Sequence, residues 1–257
     1  MEYRNKKDVR IIGIRNIALI KTGDDLGEII WNAVKKQEDS ILDDDVIIVT
    51  QKIVSKSEGR VIQLKNVTPS SLSKRIARKT HKNPELVELI LTDAKSIVRM
   101  RDDHIITETR HGWICANSGV DVSNVSGGDS AALLPLDPDR SAKKIRARIG
   151  ELSGKNVAVI ISDTFGRPFR KGHTDIAIGS SGITPLLDLR GEKDLFGYIL
   201  QVKQTAIVDE LASAAELVMG NATEKIPAVL IRGYPFQQSE SLGAKSLIMS
   251  RKQNLFY

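Results

Sequence analysis

Cysteine is almost missing from this chain. Its single example among 257 residues, Cys115, cannot close an internal disulfide, and one thiol is too few for a structural zinc site. Lying in the apolar stretch Trp113 to Asn117, the thiol is expected to be buried and inert. Aromatic residues make up only 4%, which argues against a base-stacking surface and so against a nucleic-acid partner. No apolar run approaches the length of a membrane span, and the start, Met1 to Arg10, is charged and lacks an apolar signal core. A cytoplasmic protein without a membrane partner is expected. The motifs GxxxxGK[ST], strand-linked GxGxxG and GxSxG are absent as well, which excludes the commonest phosphate-cradling loops and a serine-hydrolase elbow.

What remains is ordinary globular composition with a basic balance. The chain is 41% apolar and 27% charged, with 38 basic and 32 acidic residues, a net charge of +6 and a pI near 9.3. The two signs are interspersed, which suits an anionic small molecule such as a nucleotide better than a polyanion. The length allows one large domain or two small ones.

The most informative stretch is Asn156 to Gly172, NVAVIISDTFGRPFRKG. Val157 to Ile161 is an apolar run that reads as a strand buried on both faces, expected to stop at Ser162, Asp163 and Thr164. Directly after it come Gly166, Arg167, Pro168, Phe169, Arg170, Lys171 and Gly172. An oxygen-bearing strand end followed by a basic, glycine-flanked loop has the composition a metal-bridged phosphate needs. The competing reading is plainer: Asp163 and Thr164 cap a helix and the arginines are a solvated face.

Elsewhere the spacing predicts a helix after Asp24 and Asp25, a buried strand Val46 to Val49, helical pattern from Thr68 to Met100 opened in part by Asn83 and Pro84, and a hairpin from Ile105 to Asn117. His104 and His111 flank that hairpin and read as surface histidines. Asp139 or Ser141 should cap a helix ending at Gly154, and a helix from Val208 should stop at Gly220. Between them, Gly179 to Gly182 interrupts a strand and predicts a close backbone approach. Lys52 and Lys56, four apart past a strand end, offer phosphate ligands or a solvated face. Asn117 to Asn124, NSGVDVSN, places Asp121 and Asn124 in a loop after a strand. Two acidic loops, around Asp121 and Asp163, are the minimum that holds Mg²⁺ or Mn²⁺ against nucleotide phosphates.

A run of longer motifs carries the reading further: ALIKTGDDL, VSKSEGR, NSGVDVSN, LLPLDPD, ISDTFGRPFRKG, AIGSSGI, DLFGYIL, VDELASAAELVMG and IPAVLIRG. In these, nearly continuously from Ile17 to Gly233, the chain resembles the coenzyme F420-0 γ-glutamyl ligases. The resemblance implies an α+β fold with mixed sheets and packed helices, two-lobed and built as an intertwined homodimer. It implies ligation of L-glutamate to the phospholactyl carboxylate of coenzyme F420-0 with hydrolysis of GTP, then addition of a further γ-linked glutamate. Mg²⁺ or Mn²⁺ is implied, with K⁺ as a further candidate. By position, the resemblance assigns Asp121, Asp163, Thr164 and Asn221 to metal, Asn221 standing where a relative has a glutamate. It assigns Ile17, Ala18, Leu19, Ile20, Gln51, Lys52, Lys56 and Asn124 to GTP, together with the loop Met219, Gly220, Asn221, Ala222, Thr223, Glu224, Lys225 and Ile226. No residue is assigned as a general base.

Overall fold

The computed structural model describes residues 8–123, 125 and 129–255; Asn124, expected at the nucleotide, lies outside them. The first half of the chain runs β1 (Arg10–Ile14), α1 (Leu26–Lys36), β2 (Val46–Thr50), α2 (Gln51–Ser57), β3 (Val61–Gln63), α3 (Ser71–Thr80), α4 (Pro84–Asp93), β4 (Ala94–Arg101), β5 (His104–Thr109), β6 (Ile114–Ala116) and β7 (Ser130–Ala132). The second half runs α5 (Pro138–Ser153), β8 (Ala158–Gly166), β9 (His173–Ser181), β10 (Leu186–Asp188), β11 (Gln204–Ala206), α6 (Ile207–Met219) and β12 (Ala228–Arg232). The class is α+β with mixed sheets, as expected.

Five strands form the central sheet in the order β1-β12-β2-β8-β9. Only β2 and β8 run parallel; their neighbours are antiparallel. Val46 to Val49 and Ala158 to Ile161 are fully buried in that central pair. Helices α1 and α5 pack on each other, and α5 and α6 both pack on β9. Unbroken apolar runs are what a strand covered on both faces requires. The start of β2 is tied to the end of β12 by Arg232, whose Nε and Nη2 donate to the two Asp45 carboxylate oxygens at 2.9 and 2.8 Å. Asp45 is 1% exposed, so the bidentate partner is what makes its burial tolerable.

Helix ends follow local rules. Asp25 caps α1 by accepting from Glu28 N at 3.1 Å, and Asn83 caps α4 by accepting from Leu86 N at 2.9 Å, with Pro84 opening the first turn. Gly154 and Gly220 end α5 and α6 at φ of 69° and 64°. The α5 cap lies earlier than expected: it is Asp137, accepting from Arg140 N at 3.1 Å. Asp139 instead accepts from the backbone N–H groups of Ser180 and Ala244, both at 2.8 Å, and so joins α5 to β9 and to the 3₁₀ turn Ala244–Leu247.

Two strands differ from the sequence expectation. The helical pattern does not continue to Met100, because β4 takes over at Ala94 and pairs with β5. Register shifts between Ala94 and Ser96 and between Ile97 and Arg99 break the twofold alternation, so Ile97, Val98 and Met100 do not display a strand period. The second difference is that β8 does not stop at Ser162. A bulge follows Ile161, and the strand continues through Asp163 and Thr164 to Gly166, paired with β9. The basic segment Arg167 to Gly172 is therefore the tip of a long hairpin, and neither Asp163 nor Thr164 caps a helix.

The segment from α3 to β7 closes a second apolar cluster of Ile76, Ala77, Val87, Leu89, Ile90, Ile105, Val120, Ala131 and Leu133. Asp121 sits at its edge, in an antiparallel bridge to Ala132. That bridge fixes the first acidic loop. Among the described residues no helix is long and apolar enough to cross a membrane.

Candidate active site

Alternation along β8 beyond the bulge divides its polar residues between two faces. Ser162 and Thr164 point one way, and both hydroxyls donate to Asp175 on β9, at 2.8 and 2.7 Å. Asp163 points the other way, into the electrostatic reach of Asp121, Lys52 and Cys115. The four expected metal ligands thus form two adjoining groups rather than one ring.

On the first face, Asp121 accepts from Lys52 Nζ at 2.8 Å and from Ser123 N and Oγ at 2.7 and 2.9 Å. Burial raises its pKa, but the Lys52 and Ser123 donors outweigh burial and hold the carboxyl below its ordinary value. Among the described residues Asp163 has no such ion pair. Burial pushes its pKa up to about 7, the charges of Asp175 and Asp121 add to the rise, and the Thr164 backbone N–H and Lys52 only partly offset it. Lys56, one helical turn beyond Lys52 on α2, is half-buried, and burial together with the Lys52 charge lowers its pKa.

On the second face, Thr164 Oγ1 also reaches Asn221 Oδ1 at 3.4 Å, and Asn221 Nδ2 donates to Glu216 Oε1 at 2.6 Å. Glu216 Oε2 accepts from Asp175 N at 2.9 Å. Asp175 is 4% exposed; burial raises its pKa, the Thr164 and Ser162 hydroxyls oppose the rise, and Glu216 adds to it.

Neither Asp175 nor Glu216 was singled out in the sequence, though each carries a signal. Asp175 is a carboxylate in β9 followed by the small and apolar residues Ile176 to Ser181. Glu216 is an acid in the last turn of α6, where the helix dipole favours a cation. Its carboxylate is the one to which Asn221 donates.

The remaining assigned residues are distributed unevenly. Gln51 is 2% exposed and its Oε1 accepts from Ser55 within α2, so its side chain serves the helix. Ile20 and Met219 are core residues, Ile17 and Ile226 pack against the core, while Ala18 and Leu19 stand in solvent. Segment 17–20 leads to Thr22 and Gly23, which bond the carbonyls of Lys56 and Ser57 at 3.5 and 2.8 Å and so border the far end of α2. In the loop after α6, Glu224 accepts from Ala222 N at 2.9 Å beneath Gly220; Ala222, Thr223, Glu224 and Lys225 are exposed. Arg167 donates to the Lys171 carbonyl inside the hairpin tip, and Arg170 is exposed.

His111 departs from expectation: it is half-buried, and one ring nitrogen meets the Leu136 carbonyl. Cys115 is buried, as expected, and burial followed by the Asp163 charge pushes its pKa up to about 12.

Carboxylate, hydroxyl and amide oxygens are the donors a hard divalent cation takes, and an Asp163 destabilised by burial and by like charges is what such an ion would neutralise. Among the described residues no three His, Cys, Asp or Glu side chains are spaced to enclose an ion alone.

An acidic cluster on a bulged hairpin stands beside two lysines of a helix that starts from a parallel strand. Comparison with known proteins gives the family. The model described as F420-0:Gamma-glutamyl ligase matches residues 13–233, and the chain belongs to that family. It is 45% identical over 249 residues to the coenzyme F420:L-glutamate ligase of Methanothermobacter thermautotrophicus, covering 96% of this chain and 98% of that protein. A relative of the same name from Methanocaldococcus jannaschii is 46% identical over 257 residues, 98% of each chain. A third, from Methanopyrus kandleri, is 46% identical over 92% of this chain and 93% of its own.

Proposed function

We propose that this protein ligates L-glutamate to the lactyl carboxylate of coenzyme F420-0 at the expense of GTP, and then adds a further γ-linked glutamate. A carboxylate does not accept an amine directly, because oxide is a poor leaving group. Transfer of the terminal phosphoryl group of GTP to the carboxylate oxygen leaves GDP and an acyl phosphate; the glutamate amine then displaces inorganic phosphate and forms the amide. The observation that carries this reading is the pairing of an under-neutralised acidic cluster, Asp163 with Asp121 and Asp175, with Lys52 and Lys56 on α2.

Asp121 and Asp163 on one face, and Thr164 and Asn221 beside Asp175 and Glu216 on the other, would hold Mg²⁺ or Mn²⁺. Bound there, a divalent cation supplies positive charge to phosphate oxygens and to the acceptor carboxylate. Lys52, released from Asp121, and Lys56 offset charge on the transferring group. Ser162 and Thr164 fix the Asp175 carboxylate, and the loop 219–226 borders the same face. Incubating the purified protein with GTP, Mn²⁺, L-glutamate and the deazaflavin, with and without K⁺, tests the reading. Mass spectrometry is expected to show product heavier by one and then two glutamyl units together with GDP; a product mass unchanged under all conditions rejects it.

We also propose a homodimer. Between β10 and β11 the chain extends an arm on which Leu195, Phe196 and Val202 are 98%, 95% and 85% exposed, with Tyr198 at 62%. Apolar side chains concentrated this way mark a surface that another chain covers. Leu195→Asp with Phe196→Asp is expected to convert the protein from dimer to monomer in light scattering. A wild-type monomer, or a dimer that survives both substitutions, would refute the assignment.

A further inference from the structure

A second concavity shares no lining residue with the acidic cluster and has no part in the reading above. Its volume is about 340 Å³, at the small end of the roughly 300–1,000 Å³ that ligand sites occupy. Leu133, Ile178 and Trp113 give it apolar walls, and it is lined by charged groups of both signs.

The charges are not equivalent. Arg60 donates to Asp93 at 2.7 Å and to the Leu134 carbonyl at 3.0 Å, so that pair is closed on itself. Asp137 caps α5, and Asp139 is taken up by the backbone N–H groups of Ser180, Ala244 and Lys245. Arg110 and Lys245 also line the cavity, and among the described residues neither side chain has a hydrogen-bond or ion-pair partner. His111 is not open in this way: its Nε2 lies 3.0 Å from the Leu136 carbonyl, and its Nδ1, without a partner among the described residues, is closed off from solvent. With Nε2–H donating to that carbonyl, the Nδ1 of a neutral ring is an acceptor.

Two open cations beside capped acids suit a ligand that carries two carboxylates. Two short stretches of chain lead from the cavity wall to the site. Leu133 follows Ala132, whose backbone exchanges hydrogen bonds of 3.0 and 2.8 Å with Asp121. Trp113 is two residues from Cys115, which feels the Asp163 charge, a separation of about 7 Å along an extended chain.

We infer that this cavity binds the incoming amino acid, L-glutamate, with Arg110 and Lys245 holding its carboxylates. The inference rests on the ligase reading for the identity of the ligand, but not for its test. The chain has two tryptophans, so Trp31→Phe leaves Trp113 in the cavity wall as the sole fluorescent indole.

L-Glutamate titrated into the full-length Trp31→Phe protein, with no nucleotide or deazaflavin, is expected to change that emission saturably. Arg110→Ala with Lys245→Ala should weaken binding at least tenfold with the melting temperature kept. Absence of a saturable change, equal affinity in the double variant, or inorganic phosphate binding as tightly as glutamate would each overturn the assignment. Binding without turnover would retain the cavity and reject the ligase reading. Turnover with an unaltered KM for glutamate in the double variant would do the reverse.

Discussion

Asp163→Asn is expected to abolish ligation, by at least about a thousandfold, and at pH 8 to melt higher than the unaltered protein. Both results follow from one fact: Asp163 is held in a place where its charge is unwelcome. Burial and the neighbouring carboxylates raise its pKa from the ordinary 3.8 to about 7, so the folded state favours the neutral acid. The folded protein binds a proton there that the unfolded chain has already released, and stability is lost as pH rises from about 4 through 7. Above pH 7 the loss is complete.

A shift of this size, discounted because the side chain is not fully buried, corresponds to on the order of 1–3 kcal/mol. For a chain of this length that is several degrees of melting temperature, at roughly 2–4 °C per kcal/mol. Asparagine keeps the shape without the charge, so the advantage of Asp163→Asn over the unaltered protein should be larger at pH 8 than at pH 5. Adding Mn²⁺ at pH 8 should raise the melting temperature of the unaltered protein and leave that of Asp163→Asn unmoved. Thermal melts at the two pH values, beside a turnover assay, check all three statements. An Asp163→Asn protein that turns over at saturating Mn²⁺, or that melts lower at pH 8, contradicts the role given to this carboxylate.

That conflict between local stability and chemistry also explains what could be read from the sequence. The central strands were legible because Val46 to Val49 and Val157 to Ile161 are unbroken apolar runs, and the helix ends because Asp25, Asn83, Gly154 and Gly220 each do a job set by neighbouring residues. The length of β8 was not legible. Ser162, Asp163 and Thr164 look like the end of a strand, and only pairing with His173–Ser181 keeps them extended. Asp175 and Glu216 were missed for the same reason, since their importance comes from partners 11 and 41 positions away, the Thr164 and Asp175 contacts. Motif likeness named Asp121, Lys52 and Asn221, but not that alternation sorts the candidate residues onto two faces.

Gly179→Ala has the largest expected effect on the fold. Its backbone is in an ordinary conformation, so the constraint is space: a Cβ built there would lie 2.4 Å from both the carbonyl carbon and the oxygen of Pro138. Backbone at the first turn of α5 cannot yield as a flexible side chain does, and the helix would have to withdraw from β9. Withdrawal strains the Asp139 acceptor that holds Ser180 N and Ala244 N at 2.8 Å. It also disturbs the strand that carries Asp175. Forced separation of this kind costs about 2–4 kcal/mol, or roughly 5–15 °C in melting temperature.

Gly154→Ala is the contrasting case. Nothing lies within 4 Å of its added Cβ, and only the φ of 69° resists substitution, at a cost of about 1 kcal/mol. Thermal melts of the two variants therefore separate close packing from backbone conformation. If Gly179→Ala melted no lower than Gly154→Ala, α5 would not be seated on β9 closely enough to hold the acidic hairpin in place.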